Sequence, residues 1–166
     1  MPDALRQGAV DLAVGNFTSI NRVTRHVTLF HEPYVCMVRA GHPLAKRKAL
    51  TRETYLSHPH IFVARTSNAH QLLETTLLAL GLHRDVALQV PHFLVAPHIL
   101  QRSNLICTIP NRIAQQLNRH AEFRVFSMPV PVPVPSADVA VHWHSRCERD
   151  PGNRWMRELI IRLFKE

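Results

Sequence analysis

The chain has 166 residues, 46% of them hydrophobic, enough for one ordinary core or for two small lobes. Charged residues make up only 19% and the 12 prolines are scattered apart from one run, which excludes wholesale disorder. The formal net charge of +8 invites a polyanion, but the basic residues read as dispersed, with one short cluster in "AKRKAL", and no helix-turn-helix or RNA-module motif stands out. The expectation is a solvated basic surface.

In chain order, "PDALRQG" reads as the end of a helix and "AVDLAVG" as a short strand closing at Gly15. "RHVTLF" and "YVCMVRA" are strands parted by Pro33, and "GHPLAKRKAL" is a turn-rich loop. "TRETYLS" is a short helix capped by Thr51, and "HIFVA" is a strand. The next helix starts at a cap among Thr66, Ser67 and Asn68 and closes at Gly81. "VALQV" is a strand, "FLVAPHILQRS" a helix, "LICTI" a strand, "PNRIAQQLNRH" a helix and "FRVFSM" a strand. "PVPVPVP" cannot form a ladder and is an extended spacer. "DVAVHWHS" is the last strand. Asp150 then caps a helix with Pro151 in its first turn and a stripe of Trp155, Met156, Leu159, Ile160, Leu163 and Phe164.

Between Ile61 and Met128 strands and helices alternate, which predicts a mostly parallel α/β sheet. Ligands of such sheets bind outside the carboxyl ends of the strands. Those positions are Gly15 to Phe17, Arg65 to Asn68, Pro91 to Phe93 and His144 onward. By contrast, "AVDLAVG" and "DVAVHWH" alone make a very thin sheet, as if the first lobe were incomplete.

The three cysteines, Cys36, Cys107 and Cys147, are odd in number and widely spaced, as reduced thiols would be. Cys36 and Cys107 sit in apolar runs as small core residues. No signal-peptide pattern opens the chain, and no apolar run reaches the roughly 18 to 20 residues of a membrane helix. The expected location is the cytoplasm, with no membrane partner.

Five stretches, "LRQGAVDLAVG", "YVCMVRAGHPLA", "VALQVPHFLVAPHIL", "LICTIPNRIA" and "VHWHSRCERDPGNRWMRELI", together resemble the effector-binding domain of LysR-type transcriptional regulators. The likeness is greatest to the branch of nodulation regulators and aromatic-degradation activators. It spans Ala4 to Phe164. It implies an α/β, two-lobed fold like type 2 periplasmic binding proteins, with a small inducer in the inter-lobe cleft. The first lobe, 1–32 and 136–166, is expected to be partial, with 33–135 as the full lobe. By the same resemblance the chain is N-terminally truncated, and the winged helix-turn-helix domain, through which such regulators bind DNA, is absent. Self-association as a dimer or tetramer is also implied.

The candidate effector contacts are Gly15, Asn16, Phe17, His60, Arg65, Thr66, Ser67, Pro91, His92, Phe93 and His144. His92 can donate to a carboxylate or phenol oxygen and Phe93 can flank an aromatic ring; a capping or core-edge histidine is the plainer alternative. Arg65 suits a carboxylate. Thr66 and Ser67 could serve only as caps, and Gly15 could serve only as a turn. His60 begins its strand, and counting puts it at the far end from the others unless the strand is short. His142 and His144 share one strand face, with Trp143 opposite; His144 is preferred because it comes later in the strand. No third ligand stands at a zinc spacing, so no metal is expected, and no cofactor. No nucleophile elbow, phosphate loop or acid pair appears, so no catalytic residue is named and the chain is read as a non-enzyme. The expected ligand is a small aromatic or anionic effector. A transport-type solute-binding domain is the alternative.

Overall fold

The computed structural model describes residues 2–17, 23–63, 68–129 and 138–165. The chain divides into two compact units, Met1–Glu32 with Ser136–Glu166, and Pro33–Pro135.

The second unit is built on a five-stranded sheet, order β5-β4-β6-β3-β7. Its strands are β3 (Tyr34–Arg39), β4 (Pro59–Val63), β5 (Asp85–Val90), β6 (Ile106–Pro110) and β7 (Phe123–Ser127). β4 runs parallel to β5 and to β6, while β3 is antiparallel to both β6 and β7. The sheet is therefore mixed, with one reversed strand, β3, lying next to the edge strand β7. Period-two alternation divides its core cleanly. Tyr34, Cys36, Val38 and Ile106 face α2 (Arg52–Leu56) and α3 (Asn68–Ala79), through Tyr55 and Leu77. Val35, Met37, Cys107 and Ile109 face α4 (Ala96–Leu100) and α5 (Asn111–Leu117), through Ala96, Leu100 and Ala114. Burial pushes the Cys36 and Cys107 thiols up to about 12, as befits packing residues.

Local signals hold where they concern caps. Thr51 Oγ1 accepts the Thr54 N–H at 3.2 Å, and Asp150 Oδ1 accepts the Asn153 N–H at 2.7 Å. Gly81 sits at φ +67°, with the Leu82 N–H returning to the Leu77 carbonyl, so α3 ends in a left-handed cap. The cap expected at Thr66, Ser67 or Asn68 lies outside the described side chains, and the proline spacer lies mostly outside the described residues. The helix expected over "FLVAPHILQRS" is shorter than its pattern. Phe93–Val95 forms a 3-10 turn and only Ala96–Leu100 is α-helical, because Pro97 supplies no amide donor.

The first unit holds α1 (Pro2–Gln7), β1 (Ala13–Gly15), β2 (Thr24–His31), β8 (Asp138–His144) and α6 (Pro151–Lys165). Its sheet is antiparallel, with β8 between β1 and β2. Its core is small: Leu29, Val141 and Trp143, with Ile160 and Ile161 of α6 packed on them. The stripe expected on α6 is only partly the buried one. Asn153 and Arg157 are the most buried α6 residues, whereas Trp155 is 59% and Leu163 67% exposed. The reason is polar. Arg157 lies 4.3 Å over the Trp143 ring and donates to the carbonyls of Cys147 and Glu148 and to Asn153 Oδ1, which turns that face inward.

Candidate functional site

The parallel register of β4, β5 and β6 brings Val63, Val90 and Pro110 to one end of the second unit's sheet. Past Val90 the chain turns through Pro91 and His92. His92 is in extended conformation (φ −144°, ψ 146°) at the head of the 3-10 turn and makes no capping bond with its side chain, so its exposed imidazole is available. Past Pro110 the chain enters α5 directly, placing Arg112, Ile113, Gln116 and Leu117 beside it. Between the two segments lies an open groove of about 460 Å³, lined by His92, Phe93, Leu94, Arg112, Ile113, Gln116 and Leu117. Its volume falls within the roughly 300–1,000 Å³ of small-molecule sites. Its chemistry is apolar, from Phe93, Leu94, Ile113 and Leu117, with a guanidinium, an imidazole and an amide as the polar groups. That combination suits a flat ring carrying an anionic substituent. Arg112, Ile113, Gln116 and Leu117 were absent from the sequence candidates. The signal was present in "IPNRIAQQL", where α5 follows a strand end just as the His92 segment does.

His60 is placed elsewhere. It opens β4, at the amino end of the sheet, and is completely buried. Its Nε2–H donates to the Tyr55 carbonyl at 2.7 Å, and its ring stands edge-on to the Tyr55 ring. Burial, reinforced by the nearby Arg84 guanidinium, pushes its pKa down to about 4. The structure does not bring His60 to the end that carries His92: His60 is the second residue of β4, and even this five-residue strand carries the chain about 10 Å further before it ends at Val63. Arg65, Thr66 and Ser67 lie outside the described residues.

In the first unit, Gly15, Phe17 and a histidine do come together, but the histidine is His142. It is 3% exposed, its Nε2–H donates to the Gly15 carbonyl at 3.2 Å, and its ring meets Phe17 edge-on and stacks on His26. Burial lowers its pKa, and the His26 ring adds to the effect. Asn16 Nδ2 donates to the Asp138 carbonyl. His144 is committed to a turn: its Nδ1 accepts the Arg146 N–H at 3.1 Å. Both histidines lie on one strand face, as alternation requires, yet burial favours the earlier one. Trp143, opposite, fills the core. Among the described residues, no group of three or more His, Cys, Asp or Glu could hold a metal ion, and no helix is long and apolar enough to cross a membrane.

The family model for the LysR substrate binding domain matches residues 1–165. The chain belongs to this family. It is 35% identical to the HTH-type transcriptional activator NahR of Pseudomonas putida over 163 residues, covering 98% of this chain and 53% of NahR. It is 32% identical to the HTH-type transcriptional activator NagR of a Ralstonia species, covering 100% of this chain and 54% of NagR. The chain thus spans about half the length of these curated relatives. Among solved structures, a transcriptional regulator from Vibrio parahaemolyticus superposes with a TM-score of 0.79 at 27% identity, over 97% of this chain and 74% of that one. The effector-binding domain of QuiR, solved with shikimate, shares the fold at a TM-score of 0.75 and 17% identity, over 99% of this chain and 76% of its own. The α/β fold is that of LysR regulatory domains, related to type 2 periplasmic binding proteins. The chain is an effector-binding domain of the LysR type, and its relatives are transcriptional regulators rather than enzymes.

Proposed function

We propose that this LysR-type domain senses a small aromatic carboxylate, held at the carboxyl end of the second unit's sheet. The observation that carries the reading is the groove itself. It joins apolar walls to the Arg112 guanidinium and the exposed His92 imidazole, at the strand ends where α/β sheets take ligands. The ring would lie against Phe93 and Ile113, with its carboxylate toward Arg112 and a hydroxyl or carboxylate oxygen toward His92. Gly15, Asn16, Phe17 and His144, with Arg65, Thr66, Ser67 and Pro91, remain candidate contacts on the strength of the resemblance. His60, completely buried and bonded to the Tyr55 carbonyl, is set apart from them.

Binding works as a switch only through differential affinity for two conformers of the domain. In a full-length regulator that difference would be read by a DNA-binding domain and by self-association as a dimer or tetramer in the cytoplasm. The domain itself carries out no chemistry in this reading. A panel of aromatic carboxylates, including salicylate and benzoate, tests it by thermal melt. A ligand at roughly 100 times its Kd stabilises the fold by about 2.7 kcal/mol, a readily visible shift. His92→Ala should abolish most of that shift while melting normally when unliganded. An unchanged ligand-induced shift in that variant would overturn the assignment of the site.

A further inference from the structure

Sorted by unit, the basic residues are not dispersed. Residues 33–135 carry eleven Lys and Arg against four Asp and Glu, a formal +7, whereas residues 1–32 and 136–166 carry nine against eight, a formal +1. Nearly all of the net charge of +8 therefore belongs to the second unit. Within it, Lys46, Arg47 and Lys48 are consecutive and exposed, and exposed Arg52 follows at the first residue of α2.

Three features separate this loop from an ordinary solvated face. Its backbone is pinned. His42, 2% exposed, accepts the Leu44 N–H on Nδ1 at 3.0 Å and donates from Nε2 to the Asn104 carbonyl at 3.1 Å. Leu44 and Leu50 are buried on either side of Lys46, Arg47 and Lys48, and Thr51 caps the helix that begins at Arg52. The cationic side chains are thus presented from a fixed frame. Next, among the described residues none of the four has an acidic partner, although exposed ion pairs occur elsewhere on the chain. Finally, the loop has no apolar anchor: no large hydrophobic residue from 40 to 53 is exposed. A loop that docks on a lipid surface places Trp, Phe or Leu beside its cations, and here the leucines point inward.

We propose that the second unit docks the loop Lys46–Arg52 against the sugar–phosphate backbone of duplex DNA, a contact made by the effector-binding domain itself. The seven residues span at most about 25 Å, over which a duplex presents a charge every 1.7 Å or so, so all four cations can reach phosphates at once. Such contacts carry no sequence information. They would add affinity wherever a domain of this type is held near DNA, as in relatives named HTH-type transcriptional activators.

The test is fluorescence anisotropy of a short random-sequence duplex titrated with the untagged chain across a range of salt. Four phosphate contacts predict a log–log salt slope of about −3.6. The triple variant Lys46→Gln/Arg47→Gln/Lys48→Gln should flatten the slope by about 3 and weaken binding at least about tenfold at about 50 mM salt. A charge-matched triple variant in the first unit, Arg6→Gln/Arg154→Gln/Arg162→Gln, should bind almost as tightly as wild type. All six positions are exposed, and Lys48→Gln alone, flattening the slope by about 1, serves if a triple variant melts early. Equal weakening by both triples would overturn the proposal in favour of bulk charge, and so would failure of the wild type to bind the duplex at low salt. Tighter binding to phosphatidylserine vesicles than to the duplex, lost in the loop variant, would overturn it in favour of a membrane surface.

Discussion

Replacing His60 with glutamine removes a buried titratable group while keeping an N–H that can reach the Tyr55 carbonyl. His60 is completely buried, and burial holds its pKa at about 4 in the folded chain against an ordinary 6.5. Above pH 6.5 the ring is neutral in both the folded and unfolded chain, so it adds no pH dependence. Below 6.5 the unfolded chain binds a proton that the folded chain refuses, so stability falls as pH falls toward 4. The slope is about 1.4 kcal/mol per pH unit, or about 2 kcal/mol between pH 7 and pH 5. His42 and His142, whose pKa values are also lowered by burial, add to the wild-type loss but are present in both proteins. The assay is urea unfolding followed by circular dichroism at pH 7, 6 and 5. The His60→Gln curve should lose about 2 kcal/mol less than wild type over that span, whatever its stability at pH 7. Parallel curves would refute the assignment of a neutral, solvent-excluded His60.

Three further outcomes concern packing and caps. Tyr55→Phe removes a hydroxyl that bonds Thr108 Oγ1 at 2.9 Å and accepts from Arg84 at 3.0 Å, leaving both partners buried beside an apolar ring; chemical denaturation should show a loss of about 1–3 kcal/mol, partly recovered when Thr108→Val is added. Asp150→Ala withdraws the oxygen that caps α6 at the Asn153 N–H, and should cost about 1 kcal/mol in the same assay. Gly81→Ala places a Cβ at φ +67°, where open space surrounds the position; a loss of about 1 kcal/mol would come from backbone strain alone, and a gain would show that the turn is not left-handed in solution.

What the sequence made legible was whatever local chemistry decides. Continuous apolar runs located β3, β4 and β6 within a residue or two, since each is largely buried on both faces and needs an unbroken hydrophobic stretch. Thr51, Gly81 and Asp150 announced helix ends, because an N–H acceptor or a positive φ is a property of one residue. Tertiary choices were hidden. Nothing in "DPGNRWMRELI" says that Arg157 will be drawn inward onto Trp143 while Trp155 is left outside. The antiparallel seat of β3 between β6 and β7 is likewise set by chain crossings, which leave no periodic trace. At the candidate site, His92 and Phe93 were visible because a histidine at a strand end is out of keeping with its apolar surroundings. Arg112 and Gln116 were not, because a polar residue on the first turns of a helix looks like ordinary surface until another strand end is folded beside it. His142 and His144 were indistinguishable by alternation, and only the approach of Gly15 and Phe17 separated them.

The central claim, that an aromatic carboxylate binds where β5 and β6 end, is tested most directly by amide chemical shifts of the labelled chain during titration with salicylate. The account predicts saturable shifts concentrated at His92–Leu94 and at Arg112–Leu117, weakened by at least about tenfold in apparent affinity in Arg112→Gln, the loss expected for one charge-assisted bond. Saturable shifts confined to other parts of the chain, or shifts that Arg112→Gln and His92→Ala both leave unchanged, would contradict it.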